Sequence, residues 1–231
     1  MAYVYSCKYL QLWALDAMKA LVLSHESSLR TARTGAFMRI LPLLLLYGQQ
    51  DLSISVQNKW ASRIHWRELS PVPAIHLAYR LGLVCLLGHA FYALMLELAP
   101  RLDSGSGLQD VLTNPPLLPQ HRLHIMSGYH SFSTYWAHLQ KVPPTFVQCE
   151  TCSYHPQCQS AWQGRWVVVM ARSMPYPVVD VFRRLILVEE ILESDAILDR
   201  HMNPQCRDNA IQRVAQIREE TSQSLHHHFD L

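Results

Sequence analysis

Glycine and charge are both scarce in this chain. Eight glycines in 231 residues form neither a GxxxxGK nor a GxGxxG loop, so a phosphate cradle of either kind is excluded. Ser104-Gly105-Ser106-Gly107 lacks the spacing of a nucleophile elbow. His25-Glu26 opens like the zinc-protease HExxH, but Leu29 stands where the second histidine belongs. Charged residues make up 16% of the chain, against about 25% in ordinary globular domains. The net charge is only +2, which argues against the basic footprint of a nucleic-acid partner. Arg30, Arg33, Arg39, Arg183 and Arg184 are thin material for such a patch. Hydrophobic residues reach 49%, so the composition is that of a folded chain with a sizeable core. No Asn-x-Ser/Thr acceptor occurs, and the start lacks the basic, apolar and small-residue order of a secretory signal. Six cysteines at uneven spacing, without such a signal, fit a reducing compartment, so the chain reads as intracellular, in cytoplasm or nucleus.

Long apolar runs are scarce too. LGLVCLLGHAFYALMLELA, over 81–99, comes close to the roughly 20 residues of a membrane span. His89 and Glu97 lie inside it, Gly82 and Gly88 interrupt it, and Arg80 abuts it. A buried helix after a tight turn accounts for it better, and no membrane partner is expected.

What the sequence does contain is helical periodicity. Leu10, Trp13, Ala14, Ala17 and Leu21 recur on one helix face within 2–26. A polar connector, 27–35, precedes a block over 36–50 that Pro42 interrupts and Gly48 ends. A third block runs from Leu52 to about Trp66. Ser70 with Pro71 predicts a capped helix start, and Gly82 predicts its stop. A longer helix follows to about Ala99, and the proline, glycine and serine of 100–107 mark a linker. Helices are then expected over 120–141, 157–170, 178–199 and, capped by Asn203 with Pro204 in its first turn, to about Leu225. Only 166–169, WVVV, reads as strand-like. The expected class is all-α, an irregular multi-helix fold with helical hairpins and a small cysteine-rich loop.

That loop, CETCSYHPQC over 149–158, carries the chemistry. A CxxC turn can bring two sulfurs to one point, as tetrahedral zinc requires. Cys149 and Cys152 have that spacing, Cys158 offers a third ligand with His155 competing for the place, and Cys206 is the natural fourth. Four protein ligands leave no open position, so such a zinc would be structural. The same sulfurs could instead be small buried hydrophobes, or a disulfide. Cys7 and Cys85 lie in apolar helices and read as core. His76 and His89 read as core or boundary residues, and His226–His227–His228 as a solvated helix end. Glu189, Glu190, Glu193 and Asp195 read as a solvated acidic face, and Trp162 and Trp166 as core rather than a peptide groove. No catalytic constellation emerges, so no enzyme is expected.

Four stretches together resemble a known family. VYSCKYLQLWALDAMKALV is similar to the helices that close a BTB domain, and ELSPVPAIHLAYRLGLVCLLGHAFYAL to a helical hairpin beyond it. CQSAWQGRW and NPQCRDNAIQRVAQIREETSQSLHHHFDL are similar to the cysteine–tryptophan helix and the C-terminal segment of fungal BTB/POZ domain-containing proteins. The resemblance implies that 1–100 is the end of a BTB domain plus BACK-like helices, and 108–231 a helical C-terminal domain with the cysteine-rich loop. The BTB core itself is absent, and Asn203 replaces the first cysteine of a second CxxC, a loss for which Cys152 could compensate. The resemblance implies a non-enzymatic adaptor that binds another protein, and the cysteine spacing adds one structural zinc on Cys149, Cys152, Cys158 and Cys206 as an expectation. The alternatives are a nuclear, transcription-associated protein with a zinc-stabilised nucleic-acid contact, and a truncated product without independent function.

Overall fold

The elements follow from local chemistry that the chain spells out residue by residue. The computed structural model describes residues 8–23, 28–104 and 117–231. Among these residues there are ten α-helices and no strand, which is the all-α class. They are α1 (Lys8–Leu23), α2 (Thr34–Leu46), α3 (Gln50–His65), α4 (Pro71–Leu81), α5 (Val84–Asp103), α6 (Pro119–Lys141), α7 (His155–Met170), α8 (Val181–Glu193), α9 (Ala196–His201) and α10 (Pro204–Gln223). Two 3₁₀ turns, Ser28–Arg30 and Leu225–Phe229, complete the set. The chain divides into two compact units, Met1–Ala93 and Leu94–Leu231, and the division falls inside α5.

In the first unit, the Ser70 hydroxyl accepts from the Val72 amide (3.4 Å) and Pro71 opens α4, which satisfies an end donor that the helix itself cannot. Gly82 stops α4 with φ +66°, the left-handed conformation that glycine adopts without Cβ strain. The core is apolar and ringed: Phe37, Leu41 and Leu44 of α2 lie against Val56, Trp60 and Ile64 of α3, all almost fully buried. Phe37 stacks on Trp60 with centroids 5.2 Å apart. Arg63 fastens the segment before α2: it donates to the Leu29 carbonyl (3.0 Å) and the Ala32 carbonyl, and pairs with Glu68 at 2.7 Å. His65 Nε2 and His89 Nδ1 share a hydrogen bond of 3.1 Å between α3 and α5.

In the second unit, Trp136 of α6, Trp162 and Trp166 of α7, Leu185 and Leu192 of α8, and Val214 of α10 form the core. The indole N–H of Trp162 donates to the Pro144 carbonyl (2.9 Å) and that of Trp166 to the Leu139 carbonyl (2.8 Å). Buried indoles that reach a partner in this way are packing residues, not a peptide groove. The α10 stripe Ile211, Val214, Ile217 and Thr221 is buried as its spacing predicts, and Leu225, which opens the 3₁₀ turn after it, is buried too. The last turn folds back on α6. Phe229, fully buried, sits on Gly128, where a Cβ would lie 2.1 Å from its ring. His228 stacks on Phe132 at 4.2 Å and meets the Ser131 hydroxyl at 2.8 Å. His124 Nδ1 donates to the Phe229 carbonyl (2.7 Å), and Ser127 to Asp230.

Several expectations are corrected. The 178–199 helix is two helices, because Asp195 ends one and caps the next: its carboxylate accepts from the amides of Ile197 (2.9 Å) and Leu198 (3.1 Å). Asp195 is buried and pairs with Arg165, so it does not belong to a solvated acidic face. α2 runs through Pro42 and α5 through Pro100, since one proline removes a single backbone bond and the turns on either side hold. Residues 100–103 of the expected 100–107 linker are helical, and 105–107 lie outside the described residues. WVVV is the end of α7, not a strand. Cys85 and His76 are exposed rather than core; Cys7 and the pair His25-Glu26 lie outside the described residues. The histidine run is not a solvated helix end but a docked 3₁₀ turn, where burial holds His226 and His228 below the ordinary histidine range and the neighbouring His227 charge adds to the effect.

Candidate metal centre

Backbone geometry aims the sulfurs. After α6 the chain leaves through Pro143 and Pro144, and the loop is pinned where Asn209 of α10 donates to the Val147 carbonyl (3.2 Å). A tight turn follows, in which the Cys152 amide donates to the Cys149 carbonyl (3.2 Å). That turn is what a CxxC spacing provides. Pro156 lies in the first turn of α7, and Cys158 follows one turn into that helix. On the other side, Asn203 caps α10 through its side-chain oxygen, which accepts from the Gln205 amide at 3.0 Å. Pro204 opens the helix, so Cys206 projects from its first turn.

Five donors meet there. Cys206 Sγ lies 3.2 Å from Cys149 Sγ and 3.7 Å from His155 Nδ1. Cys152 Sγ lies 3.7 Å from Cys158 Sγ. The donor atoms of Cys152, His155 and Cys206 all fall within 4.8 Å of one another. A Zn–S distance of about 2.3 Å and a Zn–N distance of about 2.0 Å set tetrahedral edges of about 3.8 Å between two sulfurs and about 3.5 Å between sulfur and nitrogen. The Cys152–Cys158 and Cys206–His155 separations match those edges. The four cysteines are each less than a tenth exposed, and the His155 ring is held edge-on against Phe146 at 5.1 Å. The four predicted cysteines thus share one neighbourhood, but the three donors that all lie within 4.8 Å of one another include His155, the competitor in the decapeptide, and neither Cys149 nor Cys158.

The thiols are not equivalent. Burial pushes Cys206 up to about 12, because its thiolate would lie in a low-dielectric pocket with another sulfur beside it. Burial also pushes Cys149 up, but hydrogen bonds from Thr151 and Cys206 outweigh it and leave that thiol below its ordinary range. Asn203 contributes on both sides: its Oδ1 accepts from the Cys149 thiol (3.2 Å), and its backbone amide donates to Cys158 Sγ (3.3 Å). Asn203, three positions before Cys206, is therefore in the site as a hydrogen-bonding partner of two sulfurs. A soft, thiol-rich donor set of this kind fits zinc among the common divalent ions.

Comparison with family models, curated proteins and solved structures finds no match to this chain. Among the described residues no helix is long and apolar enough to cross a membrane.

Proposed function

We propose that the chain is a non-enzymatic, α-helical interaction module in which one structural zinc fastens the 149–158 loop to the start of α10. The observation that carries the reading is the meeting of Cys206 with Cys152 and His155, more than fifty positions away in sequence, with the three donor atoms all within 4.8 Å of one another. Four protein ligands complete a zinc shell and leave no position for a substrate or an activated water, so the ion orders the surface around it rather than reacting. Beside it lies a groove of about 550 Å³ lined by Tyr154, Ala161, Gly164, Ile197 and His201 among others. Tyr154 and Ile197 are exposed apolar side chains, the kind of residue that anchors a protein partner. The reading accords with the resemblance to the helical region of fungal BTB/POZ proteins.

The deciding experiment is the metal content of the chain purified under reducing conditions, beside Cys152→Ser with Cys206→Ser. About one zinc per chain, lost in the double variant together with thermal stability, supports the reading. A metal-free parent with the melting temperature of the double variant overturns it.

A further inference from the structure

Five donors for four tetrahedral positions leave one over. We infer that the spare donor is Cys149, and that it is the centre's redox element: a peroxide joins Cys149 to Cys206 and expels the metal while the loop stays fastened to α10. The inference rests on the zinc reading above and adds regulation to it.

The assignment follows from spacing. Two sulfurs on one zinc lie about 3.8 Å apart, and Cys152 and Cys158, 3.7 Å apart, meet that edge. Cys149 does not: it lies 3.2 Å from Cys206 Sγ, too close for both to hold one ion. Cys158 also receives a backbone N–H from Asn203 at 3.3 Å, the kind of outer contact that supports a metal-bound thiolate. Cys152, His155, Cys158 and Cys206 are then the ligands. Cys149 stands beside one of them, 3.2 Å from Cys206. Of this pair Cys149 is the more open, 5% exposed where Cys206 is 0%, so a small oxidant reaches Cys149 before Cys206.

The step balances. Cys149 Sγ attacks one peroxide oxygen, the O–O bond breaks, and water leaves with the thiol proton, giving a sulfenic acid. The Cys206 sulfur displaces that hydroxyl, so an S–S bond forms and the S–O bond breaks. The departing hydroxide takes a proton from solvent to become the second water. Two electrons pass from the sulfurs to the peroxide, and zinc leaves as the divalent ion because one of its four ligands is gone. The disulfide still ties the loop to α10, so the fold persists without its metal.

The test treats the zinc-loaded chain with one equivalent of hydrogen peroxide and follows zinc with a chelating dye, crosslinks by peptide mass mapping and helicity by circular dichroism. The expected result is loss of zinc, a Cys149–Cys206 crosslink with two hydrogens fewer, and unchanged helicity. Cys149→Ser is expected to bind zinc and keep it through the same treatment. Cys158→Ser leaves the reacting pair intact and is expected to form the crosslink whether or not it holds metal. A crosslink mapped to Cys152–Cys158, or release of zinc from Cys149→Ser as readily as from the parent, overturns the inference. Should the purified chain carry no zinc, the mass map alone reads the pair, so failure of the metal reading and failure of the crosslink remain separate outcomes.

Discussion

Gly128 is the position at which the second unit has the least room. A Cβ built there falls 2.1 Å from Phe229 Cε1 and 2.3 Å from Cδ1, well inside van der Waals contact. Phe229 cannot withdraw freely, since it is fully buried and its carbonyl is held by His124. Gly128→Ala therefore overpacks a filled core, a change that costs about 1–3 kcal/mol. Eviction of the Phe229 ring sets the ceiling, about 3–5 kcal/mol for losing a buried phenylalanine. Against this, alanine in mid-helix gains about 1 kcal/mol over glycine. The net expectation is a loss of about 0–2 kcal/mol, or about 2–4 if the ring is evicted, measured by urea unfolding followed through tryptophan fluorescence. A sign reversal makes the test sharp. In a Phe229→Ala background the clash disappears and only the helix gain remains, so the same Gly128→Ala change should stabilise by up to about 1 kcal/mol. Equal stabilisation in both backgrounds would refute the close packing of the C-terminal turn on α6.

Other positions test other links. Asp195→Ala removes a cap and leaves Arg165 without its carboxylate; because the pair is largely buried, unfolding should lose about 3 kcal/mol, and Asp195→Asn, which keeps an acceptor for the cap, should recover part of it. Burial lowers the pKa of His89, so the unfolded chain binds its proton first as pH falls. The stability it contributes is complete above about pH 6.5 and is lost as pH drops toward the folded value. His89→Leu should shallow that slope in unfolding measured from pH 8 to 5, and an unchanged slope would remove His89 from the account. Gly82→Ala, which forces a Cβ into a left-handed turn, should cost about 1 kcal/mol in the same assay.

Legibility in the sequence followed the range of the interaction. Ser70, Pro71, Gly82, Asn203 and Pro204 act on backbone groups two to four residues away, so their reading as caps and stops needs only local chemistry. Asp195 also caps locally, yet it sits in a charged stretch whose apolar period continues from α8 into α9, and the period hid the break. Pro42 and Pro100 misled in the opposite sense: a proline weakens one turn, but burial of Leu41, Leu44, Leu98 and Ala99 keeps both helices continuous. The cysteines were visible as candidates because CxxC is a local hook. The choice among five donors was not, since it depends on the distances that folding sets between Cys206 and the loop. The seat of Phe229 on Gly128 left no trace in periodicity; a lone glycine in a helix interior, unfavourable by propensity, was the single hint of a close approach.

The placement of the five donors also governs the order of assembly. Four of them lie within ten residues of chain, and Cys206 joins from 57 positions away. An unfolded chain already holds most of a coordination shell in the decapeptide, so metal can be captured before α10 is in place. Only the increment that Cys206 adds discriminates native from unfolded, because a ligand shared by both states shifts the equilibrium by its differential affinity alone. Tight binding and modest thermal protection are therefore compatible in this chain. The ion would act chiefly in time, shortening the search by which the start of α10 finds the loop, since closing a long segment is the slow entropic step.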